Sequence, residues 1–259
     1  MGDRRKQALR VQFDGKLKLE FHGANVTSDA GLLAFRELDE AFRLTERGST
    51  LLSDCRRGKN TQHTMLAMLR QSVYGRLAGY EDVNDAERLR VDPAMRRVVG
   101  GRAKEKVAAS TSEMSRFETE MLSSRKNLTA LMNLSGTWID SVHECAPLDK
   151  LILDLDSSVS ETHGQQQGSA YNGYFECTCY HPLFLFNQHG DLERAMLRRG
   201  NHNSSSSGVG FCCRSSTDTG IATSRSTSEV MRRSPSRLCT ACWRRSVSST
   251  PSASRRTTF

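Results

Sequence analysis

The feature that most constrains this chain is a change of composition at residue 203. From Asn203 to Phe259, 24 of 57 residues are Ser or Thr, nine are Arg, none is Lys and two are acidic. This segment carries +7 of the net charge of +8, so residues 1–202 carry only +1. It has no hydrophobic period, and we therefore expect a packed core in residues 1–202 alone.

Several classes of protein are excluded by the pattern of apolar residues. No run approaches about 20 apolar residues, so no transmembrane helix is expected. The N-terminal segment is basic but lacks the apolar stretch of a signal peptide. We expect a cytoplasmic protein with no membrane partner, in which the eight cysteines are free thiols.

Residues 1–145 are predicted to be mainly helical. Ser28 or Asp29 is expected to cap the first helix, and Ser112 and Ser115 are expected to cap the last. Apolar residues recur at helical spacing in three segments, which are 32–44, 61–77 and 112–124.

The helix over 61–77 should bury one face and leave Arg70 outside it. His63 is expected to be packed rather than catalytic. A shorter helix should end before Asp92-Pro93, and a β-hairpin is predicted around Asp14-Gly15. The predicted buried face of the long helix consists of Met65, Leu66, Met68, Leu69, Val73 and Leu77.

The period changes to two at residues 149–156, which predicts a strand that opens an α/β or α+β domain. Asp154 and Asp156 fall on one face of it, about 6–7 Å apart, with Leu151, Leu153 and Leu155 on the other. Paired carboxylates suit a divalent cation such as Mg²⁺, although the spacing by itself favours a strand end that emerges into solvent. Further strands are predicted at 174–180 and 183–186, with a turn at Gly190.

This strand and its surroundings resemble the first catalytic segment of bacterial insertion-sequence transposases, specifically transposase DDE domain group 1. The matching string is DLDSSVSETHGQQQGSAYNGYFECTCYHPLFLFNQHGDLERAMLRRGN. Four upstream blocks are similar in the same order: VTSDAGLLAFRELDEAF, SDCRRG, QHTMLAMLRQSVYGRLAGYEDVNDAERLRVDPAM and ASTSEMSRFE. The resemblance covers about residues 10–202.

The resemblance implies an α+β protein in three parts. Residues 1–145 would be a helical DNA-binding region, and 146–202 the start of an incomplete ribonuclease-H-like catalytic domain. Asp156 would be the first acid of the Asp-Asp-Glu triad, with Asp154 as the weaker candidate for that role or a metal-adjacent residue. The triad would hold two Mg²⁺ ions for cleavage and strand transfer of DNA.

The implied partner is double-stranded DNA at the terminal inverted repeats of the element, with a second copy or an intact transposase as a further candidate. His163 follows the first strand and is expected to line the DNA side with the Gln run, unless that loop is merely solvated. The same alternative holds for each surface arginine. The residues expected to contact DNA are Arg56, Arg57, Lys59, Arg70, Arg116, Gln165, Gln166 and Gln167.

Two cysteine patterns are not expected to bind zinc. Cys177 and Cys179 share one face of a strand and are too close together for a usual zinc pair, so buried free thiols are predicted. Cys239 and Cys242 have no second Cys or His pair at a suitable spacing.

Back-translation gives another interpretation of residues 203–259. If each codon's third base joins the next codon's first two, Met231 and the following arginine yield alanine when that arginine has a CGN codon. With GC-rich codons, residues 216–259 then spell a peptide with a strand-like VEVYF and an Asp that resembles the second catalytic acid. We expect a one-base slip near residues 201–207 and an out-of-frame, disordered tail.

The expected function is therefore a DDE transposase by ancestry that is inactive as this chain, because the second Asp and the Glu are missing from it. One alternative is a DNA-binding or regulatory fragment that binds element ends or inhibits intact transposase. Another is an Arg/Ser-rich RNA-binding protein, which the absence of Lys and of regular RS dipeptides in the tail disfavours.

Overall fold

The computed structural model of the chain describes residues 9–19, 27–57, 61–148, 151–203 and 223–224. It divides into two compact units, Met1–Val142 and His143–Phe259. The predicted disorder of residues 203–259 falls almost wholly outside the described residues. The three-part division at 145 and 202 stays a prediction.

The first unit begins with the predicted hairpin, in which β1 (Leu9–Arg10) and β2 (Lys18–Leu19) pair antiparallel. Helix α1 (Leu32–Phe42) follows. The predicted caps Ser28 and Asp29 are wrong, because Gly31 precedes the helix and no side chain caps it. Arg43 takes a left-handed conformation with φ 57°, which ends α1 and separates it from the next helix.

Helix α2 spans Leu44–Leu51 and helix α3 spans Met65–Leu77. The Thr64 side chain caps α3 by accepting a hydrogen bond from the backbone N–H of Ala67 at 3.1 Å. The buried face of α3 is rotated from the predicted one. Leu77 is exposed, and the buried residues are Met65, Ala67, Met68, Leu69, Gln71, Ser72, Tyr74 and Gly75.

The remaining helices of this unit are short except for the last. Asp92 caps the helix that Pro93 opens, and the preceding helix ends at Leu89, before Asp92-Pro93 as predicted. Ser110 and Glu113 form a capping box, and the predicted caps Ser112 and Ser115 are wrong. After a 3₁₀ turn at Val83–Asp85 come α4 (Ala86–Leu89), α5 (Pro93–Val99), α6 (Arg102–Glu105), α7 (Thr111–Arg116), a π-helical turn (Phe117–Leu122) and α8 (Arg125–Cys145).

Two apolar clusters form the core of the first unit. In the cluster around α1, α3 and α5, Met95 and Val98 are fully buried. In the other, Phe117 of the π-helical turn packs among Met68, Leu69 and Met114. Both clusters include residues of α3, which makes this helix the centre of the unit.

The second unit contains a four-stranded sheet with strand order β8-β7-β3-β9. β3 pairs antiparallel with β7 and parallel with β9, so β3 is an interior strand. The turn at Gly190, with φ 83°, joins β7 to β8 as predicted. The strand bounds are β3 Leu153–Ser157, β7 Leu183–Asn187, β8 Leu192–Met196 and β9 Thr223–Ser224.

A three-stranded sheet completes the described part of this unit, in the order β4-β6-β5. The predicted strand at 174–180 is shorter than expected, because 174–176 form a turn. The strands are β4 (Ser160–Glu161), β5 (Ala170–Asn172) and β6 (Cys177–Tyr180). Helices of one unit and sheets of the other confirm the predicted α+β class.

Candidate functional site

The two candidate carboxylates lie where the sequence predicts them. Asp154 and Asp156 are both on β3, both are exposed, and they alternate with Leu153 and Leu155 on the opposite face. Leu153 is almost completely buried. An apolar inner face therefore fixes the strand, and the alternation of side chains points both carboxylates away from it.

Strand pairing determines what lies beside these carboxylates. Asp154 is directly opposite Phe186 of β7, and Asp156 is directly opposite Phe184. The two phenyl rings are 6.1 Å apart between centroids and partly exposed. The backbone N–H of Ser157 donates a hydrogen bond to Asp156 Oδ1 at 2.8 Å, and this bond holds one oxygen of the carboxylate against the backbone.

Two carboxylates on one face provide hard oxygen ligands of the kind that Mg²⁺ takes. They do not complete a site by themselves. Among the residues that the structure describes, no group of three or more His, Cys, Asp or Glu side chains is close enough to hold a metal ion. The residues present thus fit part of a divalent-cation site.

The predicted DNA-contacting arginines are held in different ways. Arg56 forms a two-pronged ion pair with Asp54, with N···O distances of 2.9 and 2.7 Å, and donates to the carbonyl of His63 at 2.8 Å. The Arg56 side chain lowers the pKa of Asp54 through these hydrogen bonds. Arg57, next to it, is exposed, and Lys59 lies outside the described residues.

The prediction that Arg70 lies on the outer surface of α3 is wrong. Its Nε donates to Thr45 Oγ1 at 3.1 Å and lies 3.7 Å from Asp39 Oδ2. Arg36 Nη1 and the Tyr74 hydroxyl also approach Asp39 Oδ2, at 3.7 and 3.1 Å. Burial, and then the negative charge of Asp39, raise the pKa of Tyr74. This cluster ties α1, α2 and α3 together, whereas Arg116, the remaining arginine, is exposed at the end of α7.

Sequence reasoning missed two arginines near His63, which is buried as predicted. Burial lowers the pKa of His63, and the positive charges of Arg102, Arg90 and Arg56 lower it further. The negative charge of Glu113, whose Oε2 is 3.9 Å from His63 Nε2, acts in the opposite direction. These arginines come from α6, from the end of α4 and from the loop after α2. Their charges converge only through folding, so no local spacing could reveal the group.

The Gln run lies in the loop between β4 and β5, where His163 and Gln165, Gln166 and Gln167 are all exposed. The structure shows no ligand role for them, and their contact with DNA stays a prediction. Cys179 is fully buried and Cys177 is partly buried, and both are free thiols as predicted. Burial raises the pKa of Cys179.

None of the helices in the described ranges combines the length and the apolar character needed to cross a bilayer.

The comparison with protein families identifies the class of the chain. It matches the family model of transposase DDE domain group 1 over residues 9–240, and it therefore belongs to this family of transposases. The match confirms the resemblance seen in the sequence and continues beyond residue 202 to include β9. No curated protein and no solved structure matches the chain.

Family membership implies a ribonuclease-H-like fold, a DNA ligand and the general use of divalent metal ions by such enzymes. The described sheet agrees with this, since its central strand β3 carries the acidic pair and has one antiparallel and one parallel neighbour.

Proposed function

We propose that this chain is built to act on double-stranded DNA at the ends of an insertion sequence, with Asp156 as the first acid of a DDE triad. The observation that carries the proposal is the exposed pair Asp154 and Asp156 on an interior strand of the sheet. Neighbouring strands on both sides restrain β3, which suits a site that must hold its geometry during phosphoryl transfer.

Asp156 and Asp154 would hold Mg²⁺, which when bound supplies Lewis-acid stabilisation of the phosphodiester oxygens. The hydrogen bond from the Ser157 N–H leaves the second oxygen of Asp156 available for a ligand. Phe184 and Phe186, directly opposite the pair on β7, would be its apolar neighbours.

We further propose that the 259-residue chain does not cleave DNA by itself. Within the described residues the acidic pair has no third carboxylate beside it, and a two-metal site needs more than two ligands. The frameshift hypothesis supplies a reason, since the shifted reading restores an Asp in the tail. The family match, however, continues to residue 240 in the present frame, and the gene sequence decides between the two readings.

The test combines sequencing with an activity assay. The gene is sequenced across codons 201–259, and two proteins are purified, the present chain and the product of a gene with the slip corrected. Mg²⁺-dependent nicking of DNA carrying the terminal inverted repeats is expected only from the corrected protein, and Asp156→Asn should abolish it.

The matched control is Glu161→Gln, which changes another exposed acid on a neighbouring strand of the same unit and should leave nicking unchanged. Nicking by the present chain that depends on Asp156 would overturn the proposed inactivity. If the codons do not spell the shifted peptide, the frameshift hypothesis is overturned, but the proposed inactivity is not.

A second function is favoured by the arginines around His63. The exposed Arg102 of this group would bind the phosphate backbone, so that an inactive chain occupies element ends and inhibits intact transposase. The full chain is mixed with labelled inverted-repeat DNA and the corrected protein. If the present chain inhibits nicking by the corrected protein in a dose-dependent way, a regulatory role is supported. If nicking is unchanged at saturating concentrations of the present chain, that role is contradicted.

A further inference from the structure

The hairpin formed by β5 and β6 presents an unusual concentration of exposed aromatic rings. Tyr174 is 87% exposed, Tyr171 is 61% exposed and Phe175 is 39% exposed. Single exposed apolar residues are common, but three aromatic rings within five residues form a patch that indicates a binding surface.

The tip of this hairpin is fixed by hydrogen bonds. Asn172 Oδ1 accepts from the backbone N–H groups of Tyr174 and Phe175, at 2.9 and 3.3 Å. Asn172 Nδ2 donates to the carbonyl of Gly200 at 2.6 Å. Glu176 closes the turn in a left-handed conformation, with φ 55°. The exposed rings therefore stand on a turn whose backbone is held in place.

The rings at the tip also have a defined mutual arrangement. Tyr174 and Phe175 meet edge to face, with ring centroids 4.9 Å apart, and Phe175 meets His181 in the same way at 5.8 Å. Phe175 is thus supported from below by a buried histidine. Because edge-to-face contacts use the rim of one ring, this packing leaves a face of Tyr174 open to solvent.

Strand register connects this hairpin to the acidic pair. β3 with β7 and β4 with β6 pair in two separate sheets but in matching register, with Asp156 opposite Phe184 and Ser160 opposite Tyr180. Between the sheets, the backbone N–H of Ser158 donates to the Pro182 carbonyl at 3.2 Å. Tyr171 pairs with Thr178 of β6. Since paired and alternate residues share a face, Tyr171, Tyr180 and Ser160 belong to one face of the three-stranded sheet, and Asp156 has the matching position in β3.

The distance from Asp156 to the β5–β6 hairpin is short compared with the length of a bound DNA strand. Thr162 donates from its backbone N–H to the carbonyl of Thr178 at 3.0 Å, so Tyr171 lies level with residue 162. Six residues separate this level from Asp156, which is at most about 20 Å at the rise of a β-strand. A DNA strand bound at Asp156 can reach the hairpin within a few nucleotides.

The composition of the tip favours binding to the faces of nucleic-acid bases over binding to phosphates. Its residues 171–176 contain three aromatics, one carboxylate, Glu176, and no cation. It also has no aliphatic side chain, which a docking site for an apolar protein surface would be expected to include. Every base has a π-face, and stacking on an aromatic ring is tolerant of sequence.

We propose that Tyr174, supported by Phe175 and assisted by Tyr171, stacks on unpaired bases of the DNA that the chain binds. The proposal deepens the proposed function and rests on it, since it takes DNA as the ligand. It adds a base-contacting surface that discriminates single-stranded from fully paired DNA.

The test measures binding of the full chain to two fluorescently labelled DNAs at fixed salt, one blunt duplex and the same duplex with a single-stranded tail. Tyr174→Leu keeps an apolar side chain but removes the ring, and Tyr174→Trp keeps a ring. Tyr174→Leu should weaken binding of the tailed DNA by about tenfold and change blunt-duplex binding by less than about twofold, whereas Tyr174→Trp should retain the preference.

Leu197→Ser is the matched control, because Leu197 is another strongly exposed apolar side chain of the same unit, at 65%, and it should behave as the parent chain. Equal losses on both DNAs, or no loss in Tyr174→Leu, would overturn the proposal. A change of oligomeric state without a change in DNA binding would assign the tip to a protein interface and also overturn it. If the parent chain binds neither DNA, the proposed function itself fails.

Discussion

The side chain of Asn127 pairs with both backbone groups of Ser53. Asn127 Oδ1 accepts from the Ser53 N–H at 2.7 Å, and its Nδ2 donates to the Ser53 carbonyl at 3.0 Å and to the Met121 carbonyl at 2.8 Å. Asn127 is fully buried. The start of α8 thereby fixes the loop that carries Arg56 and Arg57.

Asn127→Ala should lower the free energy of unfolding by about 2 kcal/mol, because it leaves buried backbone groups without partners. Amide hydrogen exchange should rise at residues 53–57. Asn133→Ala is the control, since Asn133 donates only to the Thr129 carbonyl within its own helix and alanine favours helix. Unchanged exchange in Asn127→Ala would show that other contacts hold the loop.

Gly200→Ala should destabilise the second unit by about 1–3 kcal/mol, because a Cβ there would meet backbone as well as side-chain atoms. It would lie 2.6 Å from the Cys179 carbonyl oxygen and 2.7 Å from Cys179 Sγ. Gly173→Ala is the control, with no atom near its Cβ. Urea denaturation measures both, and equal midpoints would contradict the close approach.

His63 should make stability depend on pH. Burial, reinforced by Arg102, Arg90 and Arg56, holds its pKa below the ordinary 6.5 against the opposing charge of Glu113. The unfolded chain therefore binds a proton that the folded chain does not, so stability is present above pH 6.5 and is lost as the pH falls below it.

The slope should approach at most about 1.4 kcal/mol per pH unit. His63→Gln should flatten the curve of unfolding free energy against pH between 7 and 5, relative to the exposed control His163→Gln. A curve with the parent slope in His63→Gln would assign the dependence to other groups.

Arg102 and Arg70 should differ in their effect on DNA binding. Arg102 is exposed at the start of α6, so Arg102→Gln should reduce the slope of log Kd against log salt by about 1. Arg70→Gln should leave that slope unchanged and cost about 3 kcal/mol of stability, because Arg70 compensates the buried Asp39. A reduced slope in Arg70→Gln would instead support the DNA contact predicted from sequence.

Local patterns predicted much of this fold. The alternation around Asp154 gave both the strand and the face of its carboxylates, since a period of two is a property of the strand alone. The helices were found by their apolar spacing, but the cap of α1 and the inner face of α3 were not. Tyr74 and Arg70 are buried because Asp39 and Thr45 come to meet them from other helices.

The candidate site shows the same limit. Sequence reasoning named Asp156 and Arg56 as site residues, which stay predictions, and it did not find Arg90 and Arg102, which approach His63 only through the packing of separate helices. It also passed over Tyr174, because an aromatic residue in a strand-like segment is ordinarily expected to be buried. Exposure is decided by the turn at 174–176, which the alternating pattern did not reveal.

The position of β3 between an antiparallel and a parallel neighbour has a consequence for how the acidic pair can change. A slip of β3 by one residue would turn Asp154 and Asp156 to the opposite face together, and it would break both ladders at once. A change in the register of β3 therefore keeps both carboxylates on their common face or removes both from it. Insertion or loss of a single residue just before Asp154 would turn both acids from this face together, while an exchange of either side chain leaves the other in place.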